Sequence, residues 1–211
     1  AMIYMFQTFG GTGDKIEGVA QKASIITEIN NIKDGLKIAA KSGHIETSSG
    51  SDVDAVKSLE GLAELSYFAE QINEQLDQDP DNLEDTVNVY NAISFGGGEG
   101  VSNVVGTTNT SDMKLSLVAD KVNMTPGIYV NLADGGLSDN AAFLEAQIAN
   151  DLSAVASIDR LAVSVASGAL PTSGTDAEKR IPGATTTTPG TNADGKFIIY
   201  FKDFGSSEVV K

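Results

Sequence analysis

The chain has no cysteine and no tryptophan among its 211 residues, one histidine, His44, and five prolines. Without cysteine there is no disulfide, no thiolate nucleophile, no Cys-ligated zinc and no iron–sulfur cluster. A single imidazole excludes His-pair metal sites and the acid/base relays that need a second one. An aromatic share of 6% leaves few ring faces for sugar stacking, so paired carboxylates among the 29 acids read poorly as a glycosidase site. Basic residues are also scarce: 14 Lys and Arg face 29 Asp and Glu, for a net charge of −15. With no basic run to neutralise phosphates, nucleic acid is excluded as a partner, and anionic lipid is disfavoured for the same reason. The apolar start, Met2–Phe6, is far short of the roughly 20 residues of a membrane span.

What is present is enough to fold. Hydrophobic residues make up 41% of the chain and charged residues 20%, a balance that builds a core and is too weakly charged for a disordered chain. The length fits one domain over residues 1–211. Two readings fit Met2–Phe6. It is the end of a longer hydrophobic segment, with Ala1 left by tag cleavage, or it is a natural start that packs on the core.

After Gly10-Gly11-Thr12-Gly13, Asp14 is a candidate N-cap for a long amphipathic helix that runs without proline to about Ser42, before Gly43. Ile25, Ile29, Ile32, Leu36 and Ala39 make one apolar stripe, and Ile16, Val19, Ala23 and Ile26 make a second, slightly rotated one. Two stripes predict two packing partners. Either one stripe is buried in the chain's own sheet and the other meets neighbouring subunits, or both are covered within one monomer, by sheet and by a second helix. Gly35 marks a close contact or a bend. The second helix is expected from Asp52 to Asp77, with Leu62, Leu65, Ala69, Ile72 and Leu76 inward and Glu60, Glu64, Glu70 and Glu74 in water.

From Pro80 onward Gly, Asn, Thr and Ser rise and the apolar runs shorten. Thr86–Phe95, Lys114–Val122, Gly127–Leu132, Leu161–Val165 and Lys196–Phe201 are predicted strands. A helix over 138–156, capped by Ser138, interrupts them with Ala141, Leu144, Ile148, Leu152 and Val155 on one face. Residues 96–112 and 173–194 read as loops. The fold class predicted is α+β: a long N-terminal helix on an antiparallel sheet, with additional helices in a strand-rich region from 86 to 211.

Few motifs carry chemistry. Gly96-Gly97-Gly98-Glu99-Gly100 lacks the Lys and Ser/Thr of a phosphate loop. Asp77, Asp79, Asp81 and Asp85 stand at calcium-loop positions 1, 3, 5 and 9. Pro80, Asn82 and Asn88 then break the pattern, which leaves an acidic helix end and a weak candidate for Ca²⁺. His44 has no triad partner in sequence and reads as a solvated linker residue. Asn109-Thr110-Ser111 and Asn123-Met124-Thr125 fit the glycan acceptor pattern, which chance also supplies often. The residues predict no enzyme and no resident cofactor.

The order of elements, an apolar stub, a long amphipathic helix and then a strand-rich domain with Gly/Thr/Ser loops, resembles a type IV pilin lacking the front of its N-terminal helix. The mid-domain run of Gly127–Leu132, Gly136-Leu137-Ser138 and Ala141–Val155, and the final Lys196–Phe201, resemble the type IVb branch more closely. That branch normally carries a cysteine in the mid-domain helix, where this chain has Ala142 and Phe143, and another near its C-terminus. The resemblance implies a structural, non-catalytic subunit of a bacterial surface filament, a pilus or pseudopilus. Such a subunit self-assembles through an N-terminal helix whose absent front part would anchor it in the inner membrane before export. Ile16, Val19, Ala23, Ile25, Ile26, Ile29, Ile32 and Leu36 are then the filament and core-packing residues. A secreted or surface-anchored binding module for polysaccharide or Ca²⁺, and a phage or virion structural protein, are the alternatives. Removal of residues 183–193 is expected to leave folding intact, and loss of a cooperative thermal transition in that deletion would contradict the loop assignment.

Overall fold

Lys196–Phe201 forms a strand with the ends its sequence predicts. A computed structural model describes residues 2–46, 58–76, 90–92, 113–119, 122–133, 135–160 and 193–211, with side chains in the first helix described from Gly18 onward. These residues form a mixed α+β fold. Strands β1 (Tyr90–Ala92), β2 (Met113–Val118), β3 (Gly127–Asn131), β4 (Ala156–Asp159) and β5 (Lys196–Phe201) make one sheet in the order β1-β2-β3-β5-β4. Every neighbouring pair is antiparallel.

The period of two separates the faces. Met113, Leu115, Leu117, Ile128, Val130, Phe197, Ile199 and Phe201 point to one side and join the main core, whereas Val118, Tyr129 and Ile198 form a small cluster with Tyr200 on the other.

Helix α1 runs from Met2 to Lys41. Its backbone is helical through Gly10, Gly11 and Gly13, so the start expected at Asp14 is corrected: glycine costs a helix about 1 kcal/mol per residue but does not forbid it. The end follows the sequence. Gly43 takes a φ of +75°, its N–H bonds Ala40 O and the His44 N–H bonds Ala39 O, both at 3.0 Å, the paired bonds of a Schellman cap. Ile25, Ile29, Ile32, Leu36 and Ala39 are fully buried and share one core with the inner face of the sheet.

The single helix expected over 52–77 is instead two short ones in its described part, α2 (Leu59–Glu64) and α3 (Glu70–Leu76). Ser58 caps α2 by accepting from the Gly61 N–H at 3.2 Å, while Asp52 lies outside the described residues. The break at 65–69 has a packing cause. Ser66 adopts a φ of 60°, and Phe68 drops onto Gly35 of α1, where an added Cβ would collide with the Phe68 ring and lie 2.8 Å from Tyr67 O. Asn73 holds the turn, accepting from the Phe68 N–H at 3.2 Å and donating to Phe68 O at 2.9 Å. Leu62, Ile72 and Leu76 are buried as expected, while Leu65 and Ala69, at the break, are exposed.

The helix expected over 138–156 is also shorter. Ser138–Asn140 form a 3-10 turn and α4 spans Ala141–Leu152, so Leu137 and Asn140, rather than Ser138, stand at the N-cap positions, and neither makes a side-chain cap bond. Ser153 Oγ donates to Asn150 O at 2.8 Å and closes the helix. The chain then turns into β4, whose Ala156 is buried and Ser157 exposed, a strand alternation in place of a fourth helical turn. Val155 is accordingly exposed rather than part of the helix face. The predicted strand Leu161–Val165 lies outside the described residues, as do the ends of the strand expected over Thr86–Phe95.

The close seat of Phe68 makes Gly35 a sensitive position. Gly35→Ala is expected to destabilise the fold by about 1–3 kcal/mol, the usual cost of overpacking, read as a lower urea midpoint at unchanged slope.

Candidate functional site

Helix α1 turns one apolar face inward and leaves another open. Val19 is 58% exposed, Ala23 is exposed and Ile26 is partly covered, so the second stripe is not buried along its described length. The side chain of Ile16 lies outside the described residues. Among the described residues, the expectation that a second helix covers this stripe within one monomer is not met: α2 and the Tyr67–Phe68 break meet α1 at Gly35 instead.

Three belts fix α1 to the body. At Gly18 the helix passes Phe143 of α4, whose Cε1 would lie 3.2 Å from an added Cβ, and Lys22 pairs with Asp151 of α4 at 2.8 Å. Phe143 covers Gly18 and is itself 52% exposed. At mid-helix the Tyr90 hydroxyl of β1 donates to Glu28 Oε2 at 3.4 Å, and burial pushes the Glu28 carboxyl up.

The third belt joins the helix end to the segment after β5. Lys33 Nζ bonds Asp203 Oδ2 at 3.2 Å, and Lys37 Nζ bonds Asp203 O at 2.7 Å and lies 3.9 Å from Glu208. The two ammonium groups also sit over rings, Lys33 at 4.9 Å from the Phe201 centroid and Lys37 at 5.9 Å from that of Phe204. Burial alone would push the Asp203 carboxyl up; the Lys33 hydrogen bond and the Lys33 and Lys37 charges outweigh it and hold it below the usual range.

Charge is distributed to match. Met2–Lys41 carries five lysines and four acids, a net +1, so the remainder of the chain carries −16. The most acidic part is thus not the helix with the open apolar face.

Most of the other predicted site residues fall outside the described part of the chain. Asp77, Asp79, Asp81 and Asp85 lie outside the described residues, and among the described residues no three acidic or imidazole side chains are grouped to hold a metal ion. The Gly96–Gly100 run is also outside them. His44 is half-buried rather than solvated: its Nδ1 shares a hydrogen bond with the Tyr67 hydroxyl, and the rings meet edge to face at 5.8 Å. Asn123, of the second glycan pattern, is exposed in a turn with a φ of 64°.

Sequence reasoning missed Phe143, Lys33, Lys37 and Asp203. Two signals were available: Phe143 is a large apolar residue off the face set by Ala141, Leu144 and Ile148, and Lys33 and Lys37 are an i,i+4 pair of cations in a chain poor in them. Set against protein-family models, curated proteins and solved structures, the chain matches none. Among the described residues, no helix is long and apolar enough to cross a membrane.

The sign of the Asp203 effect is fixed by its lowered carboxyl. Its ion pairs add stability above the unfolded value near pH 4, and that contribution is lost as pH falls through the folded value. Asp203→Asn is expected to cost roughly 0.5–1 kcal/mol at neutral pH, a solvent-screened magnitude, and to converge with the native chain in strong acid. Thermal melts of both across the acid range check this.

Proposed function

We propose that this chain is a structural subunit of a bacterial surface filament, a type IV pilin or pseudopilin, whose work is assembly rather than catalysis. The observation that carries the reading is one helix with two apolar faces, of which Ile25, Ile29, Ile32 and Leu36 are sealed in the domain's own core while Val19 and Ala23 stay open. A helix of 40 residues is about 60 Å long, enough to serve as both the spine of a globular head and a packing rod.

The physics of assembly supports the same reading. An apolar stripe along a rod is satisfied by the same stripe on other copies, and repetition along an axis generates a filament rather than a closed ring when the rotation does not close. Near-neutral charge on Met2–Lys41 lets such helices approach, and the −16 on the rest keeps heads apart and hydrated. The five-stranded antiparallel sheet backs the helix, and adhesion, motility or secretion follows from what the assembled filament does.

Immunogold labelling with antibody to this domain tests the proposal on sheared surface material from the native cell. Gold along thin filaments that vanish when the gene is deleted is the expected result. Label confined to virus particles, or to secreted monomer with no filament, overturns it. Val19→Glu and Ala23→Glu are expected to leave domain stability within about 0.5 kcal/mol, as exposed substitutions do, and to abolish the filaments.

A further inference from the structure

Glu145 is 0% exposed, on the inner face of α4 with Leu144 and Ile148. Its carboxylate accepts from two separate segments: Arg160 Nε, just past β4, at 2.9 Å, and the Gly195 N–H, just ahead of β5, at 2.8 Å. One buried carboxylate therefore ties α4 to the end of one strand and the start of its neighbour.

The two donors differ in kind. The Gly195 amide is neutral and held by its backbone: φ is +76°, its carbonyl accepts from the Leu132 N–H at 2.9 Å, and an added Cβ would meet Ala141 Cβ at 2.6 Å. Arg160 is a cation on a long flexible stem with 27% of its side chain in contact with water. A charge-assisted bond depends on the acceptor's charge, whereas an amide bonds a neutral carbonyl oxygen almost as readily.

Among the described residues, the charged groups acting on Glu145 are Arg160 and, with opposite effect, Asp194 from the turn before β5, whose carboxylate also accepts from the Lys196 N–H at 2.9 Å. On the same helix, Asp151 pairs with Lys22 of α1. Burial is the largest influence and pushes the Glu145 carboxyl up; the Arg160 and Gly195 hydrogen bonds and the Arg160 charge pull it back, and Asp194 raises it further.

We propose that Glu145 is a proton-operated latch: on taking up a proton from solvent it lets go of the Arg160 guanidinium while its carbonyl oxygen keeps the Gly195 N–H. Mild acid then loosens the end of edge strand β4 from α4 and leaves β5 fixed. Because the carboxyl sits above its unfolded value, the folded chain takes up this proton more readily than the unfolded one, and stability from this group falls as pH rises through the window between the two values. Acidification thus releases Arg160 without unfolding the domain on Glu145's account. The latch stands independently of the filament reading.

An ¹⁵N NMR titration of the full chain from about pH 7.5 to about pH 4.5, spanning the ordinary and raised carboxyl range, tests it on the Arg160 Nε–H and Gly195 N–H. At the upper end the Arg160 Nε–H is expected to be about tenfold better protected in the native chain than in Glu145→Gln, the scale of one charge-assisted bond. At the lower end the two converge, and Gly195 stays protected throughout. Asp194→Asn removes the repelling anion and is expected to move the native midpoint to lower pH, a readout that does not require Glu145→Gln to fold. Arg160 protection that is flat with pH in the native chain, a midpoint unmoved by Asp194→Asn, or loosening of Arg160 and Gly195 together overturns the latch.

Discussion

Burial of Ile25, Ile29, Ile32 and Leu36 against the inner face of the sheet is the interaction on which the remaining architecture rests. An isolated helix is marginal in water, and its stability in a protein comes from packing an apolar face. The sheet has the same need on the side that carries Leu115, Val130 and Ile199. Each layer covers the other, and the smaller helices are arranged around that contact: α4 against the start of the packed stretch, α2 and the Phe68 turn after it against its end. Polar belts then fix register along the rod, with Lys22–Asp151 at one end and Lys33, Lys37 and Asp203 at the other.

The divided use of α1 follows from its periodicity. A stripe repeating every three to four residues covers little more than a third of a helix's circumference, so a helix with two such stripes exceeds what one sheet can bury. In a chain of net charge −15, like-charge repulsion between copies opposes nonspecific contact through an open apolar stripe. That combination of a dry inner face, an apolar outer face and a hydrated remainder is the physical basis of the filament proposal.

How far this was legible in the sequence depended on whether a signal was local. The Lys196–Phe201 strand and the Gly43 cap were read correctly because alternation and a left-handed glycine are properties of adjacent residues. The inward stripe of α1 was equally clear, since five apolar residues at helical spacing admit one explanation. The break between α2 and α3 was hidden, because its cause is Phe68 seated on Gly35, a contact between residues 33 positions apart. Gly35 was singled out for a close contact, but nothing local named its partner. Glu145 was invisible for the same reason: a glutamate in a helix reads as solvated until Arg160 and Gly195 are brought to it. The proposed assembly surface was evident from spacing at Val19 and Ala23, while their exposure is supplied only by the fold.

The strand order has a consequence for how the chain is made. β5 lies between β3 and β4, yet it is synthesised after both. β4 is complete at Asp159, and its sheet partner begins at Lys196. At ribosomal speeds the gap is roughly two to seven seconds, during which the inner strand position is empty and one side of β3 is uncovered. Ordering of this sheet is therefore a late event in the life of the nascent chain. Until then the slot beside β3 is open to a free strand of similar pattern from another chain.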